Sequence, residues 1–227
     1  MVSSKRIKQL ARDRKVLRGV DLFTLKFSKL DNLSSLIVDE CRRSICDYNY
    51  PTYDHMWDTR RTMKKNGISR SFQPIPRLQK VTDTIIRENF NIEIRHAINR
   101  GPAYNYYTSK RNSHLGDWVC IPEPDRFTQP KYYYKVLLHE LAHAACARTR
   151  LCLKFTESEE EIAVEMSSLI ICFSTGYNMW DNCLSYMTNW SRDSNDNLCI
   201  RTKRQWDVLQ SKTRRIVRYL IYGTDRL

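Results

Sequence analysis

The stretch His139-Glu140-Leu141-Ala142-His143 constrains this chain more than any other. It lies inside an apolar run from Tyr134 to Ala147, where Val136, Leu137, Leu141 and Ala145 recur at helical spacing. Residues i and i+4 of an α-helix share a face, so both imidazoles can reach one metal ion while Glu140 projects beside them. A zinc ion held in this way keeps a position open for water, and a nearby carboxylate can take that water's proton. With only five His among 227 residues, chance placement of two in this frame is rare. The bland alternative is a helix that carries two His and a solvated Glu. It gives no reason for the apolar run, which is the setting that metal chemistry needs.

A catalytic zinc ordinarily has three protein ligands and a water. No His follows His143, which excludes metalloproteases with a third downstream His, metzincins and SprT-like proteases among them. The next helical segment offers Glu157, Glu159, Glu160, Glu161 and Glu165. Glu161 and Glu165 are spaced i, i+4 and share one face, which Ser168 and Cys172 continue with small side chains. This pattern suits Glu161 as third ligand and Glu165 as the acid that accepts a ring N–H from a liganding His. Glu160 is the reserve ligand. A competing explanation is a capping box, Ser158 to Glu161, in which the acids serve the helix N-terminus alone.

The length suits one domain, or one domain with an extension. Residues 1–75 read as a basic, mostly helical N-terminal extension, and residues 76–227 as the domain that carries the motif. No run of 18 apolar residues occurs, so no membrane span is expected, and the N-terminal stretch lacks the apolar core of a secretory signal. The eight Cys form no C-x-x-C pair, which points to free thiols in a reducing cytoplasm. The net charge of +13 is concentrated at the two ends. Residues 1–75 hold 16 Lys/Arg against 8 Asp/Glu, and residues 201–227 hold 8 against 2. Basic ends suit an acidic partner, nucleic acid above all, or serve only as solvated surface. The aromatics Tyr50, Tyr53 and Trp57, followed by Arg60, Arg61, Lys64 and Lys65, could stack bases and hold phosphates, or could simply pack.

Periodicity predicts helices over Asp31–Cys46 (with Asp31 as N-cap) and Arg77–Asn89, then strands at Ile92–His96, Ala103–Thr108 and Asp117–Ile121. The last two form a hairpin with a polar, basic loop, Ser109 to Gly116. The motif helix starts near Thr128 as N-cap with Pro130 in its first turn, and ends near Arg148 to Arg150. Further helices are expected over about Ser158–Thr175, stopped by Gly176, then Asp181–Trp190 and Arg201–Tyr222. The fold class is α+β, a small antiparallel sheet beside the motif helix with a helical C-terminal part.

Several segments together resemble the zincin-like metallopeptidase domain of the ArdC antirestriction family. They are Ala103-Tyr104 with Tyr107, Val119 to Pro122, Tyr132 to Leu138 leading into His139–His143, and Arg150-Leu151. Glu160 to Glu165 follows with Cys172 after it, then Ser185-Tyr186-Met187 with Trp190. The resemblance runs from about Leu78 to Tyr222. It implies a gluzincin-like fold with His139, His143 and Glu161 on zinc and Glu140 as base. Relatives join this domain to a single-stranded-DNA-binding domain and protect incoming DNA from restriction, and many belong to mobile elements or phages. Residues 1–75 lack that domain's glycine-rich strand pattern, so DNA binding does not carry over with the rest.

The expected activity is zinc-dependent peptide hydrolysis in the cytoplasm, with a protein or peptide substrate lying along the strand Asp117–Ile121 as an exposed edge. Tyr186, Arg148 and Arg150 are candidates for the oxyanion or substrate contacts. Two other readings are a single-stranded-DNA-binding antirestriction protein whose zinc is structural or vestigial, and a metal-stabilised interaction domain. Glu140 argues against the latter, because a structural site needs no base.

Overall fold

The computed structural model describes residues 22–47, 56–96, 102–106, 116–193 and 197–225. The basic segment 1–20, Tyr50, Tyr53, His55, His114 and most of the loop 109–116 lie outside the described residues. Among the described residues there are seven α-helices and three short strands: α1 Phe27–Asp47, α2 Arg60–Lys65, α3 Pro76–Thr84, β1 Glu93–His96, β2 Ala103–Tyr106, β3 Asp117–Ile121, α4 Pro130–Cys146, α5 Glu157–Ser174, α6 Trp180–Trp190 and α7 Lys203–Tyr222. A π-helical turn, Ile85–Phe90, continues α3 and ends on Asn91 at φ 47°. No helix among the described residues is long and apolar enough to cross a membrane.

The molecule is mostly helical, and its sheet is mixed rather than antiparallel. The order is β1-β3-β2. β3 pairs antiparallel with β2, Tyr104 facing Val119, and parallel with β1, Ile94 facing Val119. Alternation of side chains reports which face a residue takes and not the direction of the neighbouring strand, so the sequence pattern could not show this. β3 is therefore central and not an exposed edge. Val119 and Ile121 are fully buried on it, turned toward the helices.

The helices form where apolar spacing and terminal chemistry agree. α4 opens with Pro130 at its first position, where a missing N–H costs nothing. Its N-cap is Gln129 rather than Thr128, whose hydroxyl instead donates to the Met56 carbonyl at 3.2 Å. α1 begins four residues before Asp31, which lies within the helix and pairs with Arg218 (Nε to Oδ1 3.0 Å). α5 is capped by Thr156 with Glu159 as its reciprocal partner, not by Ser158 with Glu161. The box two residues earlier leaves Glu161 available for other work. α7 ends on Gly223 at φ 69°, where a Cβ would come within 2.7 Å of Asn89 Oδ1. Only glycine satisfies both the left-handed backbone and that close approach.

α5 is the axis of the core. It is buried without interruption from Ile162 to Ser174, as a helix surrounded on all sides must be. α4, α6, α7 and α1 all pack against it. Leu30, Ile37, Cys41 and Ile45 carry α1 into the same core. α4 and α5 approach closely because Ala142, Ala145 and Ser168 are small and fully buried. Truncating a central residue such as Leu169 to Ala costs about 2–5 kcal/mol.

Candidate metal centre

His139 and His143 stand one turn apart on α4, and Glu161 faces them from α5. Their donor atoms all lie within 4.8 Å of one another. Nε2 of His139 is 3.4 Å from Glu161 Oε2, and Nε2 of His143 is 3.5 Å from Glu161 Oε1. The two Nε2 atoms face each other at 3.2 Å. The capped N-terminus of α5 and its close packing on α4 bring the carboxylate into this position.

The opposite edge of each ring is held by a second carboxylate. His139 Nδ1 donates to Glu165 Oε2 at 2.7 Å, and His143 Nδ1 donates to Glu160 Oε1 at 2.9 Å. An ionised carboxylate only accepts, so both rings carry their proton on Nδ1 and turn the Nε2 lone pair inward. Two nitrogen lone pairs and a carboxylate then converge with no donor among them. Only a cation satisfies such a set, and imidazole with carboxylate suits a divalent transition ion. The residues present thus fit a metal. Glu160 lies on the outer edge of His143, and Glu161 on the inner side with both Nε2 atoms.

The electrostatics agree. Burial pulls the affinity of His143 for a proton down, but hydrogen bonds to Glu160 and Glu161 and the charge of Glu140 outweigh it and lift the group to about 10. His139 is likewise raised, its burial overcome by Glu161 and Glu165. Glu161 falls well below the usual carboxylate range: burial opposes this, and the two imidazoles prevail. A proton here stands in for the cation the geometry calls for.

A buried lysine completes the arrangement. Lys135 and Glu165 are almost wholly buried, and Nζ lies 2.7 and 2.8 Å from the two carboxylate oxygens. Glu165 is held at about 2, its burial outweighed by Lys135 and His139. Sequence reasoning assigned Lys135 no role. The signal was available: a lysine one turn before His139, in a run otherwise apolar, needs a buried counter-ion.

Tyr186 on α6 packs its ring edge-on to His139, centroids 5.4 Å apart, and donates its hydroxyl to Glu161 Oε2 at 2.7 Å. Glu140 is buried and lines the cleft of about 940 Å³ that holds the centre, together with Ala103, Asp117, Arg148 and Thr149. Arg148 is exposed at its rim. Arg150 turns to Asp117, with Nη2 3.1 Å from Oδ1, and donates to the Ala144 carbonyl at 3.2 Å, tying the end of α4 to β3.

Residues 84–198, half of the chain, match the model of a family described as zincin-like metallopeptidase. No curated protein and no solved structure matches the chain.

Proposed function

The chain belongs to the zincin-like metallopeptidase family, and from that premise we propose that it is a zinc-dependent peptidase, with His139, His143 and Glu161 as ligands and Glu140 as general base. The observation that carries this reading is the convergence of two oriented imidazoles and one carboxylate beside a buried glutamate on the same helix. Zinc, when bound, supplies a Lewis acid and lowers the pKa of a water. Glu140 takes a proton from water in the cleft and returns it to the leaving amine. Glu165 and Glu160 hold the two rings in one tautomer, and Tyr186 fixes the Glu161 carboxylate.

The substrate in this reading is an extended peptide. Among the described residues β2 is an edge of the sheet, and Ala103 on it lines the cleft, so strand addition falls on β2 and not on β3. The test is Glu140→Gln. It should keep zinc at wild-type stoichiometry and lose about 10²–10⁴-fold in peptide hydrolysis. Hydrolysis at the wild-type rate would remove Glu140 from the mechanism.

A second reading adds nucleic acid as partner, as expected of an ArdC-like antirestriction protein of mobile-element or phage origin. Its support is the cluster of Arg201, Lys203 and Arg204, all exposed at the start of α7. Binding to single-stranded DNA that weakens steeply with salt would support it, and no binding at low salt would end it.

A further inference from the structure

A recess of about 130 Å³ opens beside the general base. Trp57, Pro102, Val136 and Tyr186 wall it, and His139 and Glu140 form its inner edge. Lys135 also borders it, with its ammonium committed to Glu165 at 2.7 Å. Trp57 comes from outside residues 84–198, the part of the chain that matches the family.

The backbone that carries the indole is fixed on both sides of Trp57. Trp57 bridges antiparallel to Phe127, and the two rings pack with centroids 5.9 Å apart. The Asp58 N–H donates to the Arg126 carbonyl at 3.0 Å, and Arg126 Nε donates to the Asp58 carbonyl at 2.8 Å. The Thr128 N–H donates to the Met56 carbonyl at 2.9 Å. Met56, Asp58 and Arg126 are buried, so Trp57 is the residue of this short extended segment that remains half-exposed. A wall held by two backbone hydrogen bonds and a buried guanidinium is built for shape and not left to adapt.

We propose that this recess is a subsite for a compact aliphatic side chain of the substrate, of leucine or methionine size, and that Trp57 sets its size limit. The proposal rests on the peptidase reading. An apolar cavity of about 150 Å³ takes up benzene, so this recess of about 130 Å³, open on one side, has room for a branched alkyl group and less than an indole needs. An acidic side chain would lie against Glu140, and a basic one would pair with that carboxylate and quench the base. Aliphatic groups gain from Trp57, Pro102 and Val136 without either penalty.

The experiment uses the full chain loaded with zinc and three hydroxamates as probes, two alkyl and one indolyl, their binding followed by calorimetry. Wild type should bind 4-methylpentanohydroxamate at least about tenfold more tightly than acetohydroxamate. Trp57→Ala should lose most of that preference while keeping zinc stoichiometry and acetohydroxamate affinity. Trp57→Leu, checked by circular dichroism, should bind 3-(indol-3-yl)propanohydroxamate more tightly than wild type does. Equal affinity of wild type for the two alkyl probes, a preference kept in Trp57→Ala, or no hydroxamate binding to zinc-loaded protein each overturns the subsite. Peptides with Leu, Ala or Asp beside the scissile bond form a separate arm. No cleavage of any peptide, with hydroxamate discrimination intact, would sink the peptidase reading and leave the subsite standing.

Discussion

Glu165 accepts the Nδ1 proton of His139 at 2.7 Å while Lys135 reaches the same carboxylate at 2.7 and 2.8 Å. Three charged or polar groups are thus linked in a row inside the core, where an unpaired member is far more costly than the row itself. Lys135→Met leaves the Glu165 carboxylate buried with its principal counter-charge removed. The expected loss is about 3–5 kcal/mol, read as a lower urea midpoint at unchanged slope. The double variant Lys135→Met with Glu165→Gln should recover part of it. An unchanged midpoint in the single variant would mean that the pair is not ionised. Glu165→Gln, which no longer fixes the His139 tautomer, should weaken zinc about 10–100-fold.

Glu161 and Glu160 adjoin in sequence but face opposite edges of His143, at 3.5 Å from Nε2 and 2.9 Å from Nδ1. The two alanine variants should therefore separate. Glu161→Ala removes a donor from the centre, and stoichiometric zinc should be lost at micromolar protein. Glu160→Ala leaves the three donors in place and removes only the partner of one ring, so zinc should remain bound, about 10-fold or more weakly. Metal analysis after gel filtration decides it. The reverse outcome would make Glu160 the ligand.

The sequence made the helices and the donor residues legible for one reason. Both depend on short-range spacing, i and i+4 on one face, which the chain states directly at 139/143 and 161/165. Sheet order does not work this way. β3 enters between β1 and β2, and nothing in the alternation of Asp117–Ile121 records that it pairs on both sides. The helix starts were blurred because Thr156 and Ser158 are both good caps two residues apart. The Trp57 wall was beyond reach, since its place beside the recess depends on Met56 meeting Thr128 and Asp58 meeting Arg126 across a long separation in the chain.

Without metal, His143 is raised to about 10, its burial overcome by Glu160, Glu161 and Glu140. In the unfolded chain the same group titrates near about 6.5. A group raised on folding contributes stability that is fully present below its unfolded value and is lost as pH climbs through its folded value. The metal-free protein should therefore lose stability between about pH 6.5 and 10. Glu161, held low, acts in the opposite sense: its contribution is present above the ordinary carboxylate range and disappears on acidification. A metal bound here must displace the proton from His143, so zinc affinity should rise up to about tenfold per pH unit below about pH 10 and level off above it. Urea unfolding of chelator-treated and zinc-loaded protein over this range is the measurement. A metal-free midpoint flat in pH would contradict the arrangement of acids around His143.

Tyr186 has two separable roles, because its ring and its hydroxyl meet different partners. The ring packs on His139, and the hydroxyl donates to Glu161 Oε2 at 2.7 Å. Burial, with the Glu161 charge beside it, pushes the phenol far above its ordinary value, so it stays protonated and remains a donor. Tyr186→Phe keeps the packing and deletes one hydrogen bond to a charged group, worth about 1.5–3 kcal/mol. If the hydroxyl braces the ligand, zinc affinity should fall about 10-fold or more, and at saturating zinc the kcat should stay near that of wild type. If instead it leaves Glu161 to assist the oxyanion during turnover, zinc affinity should hold and kcat should fall about 10²–10³-fold. The geometry favours the first outcome. Zinc competition titration together with kcat at saturating metal distinguishes the two, because a residue that only orders the ligand cannot lower kcat once the site is full.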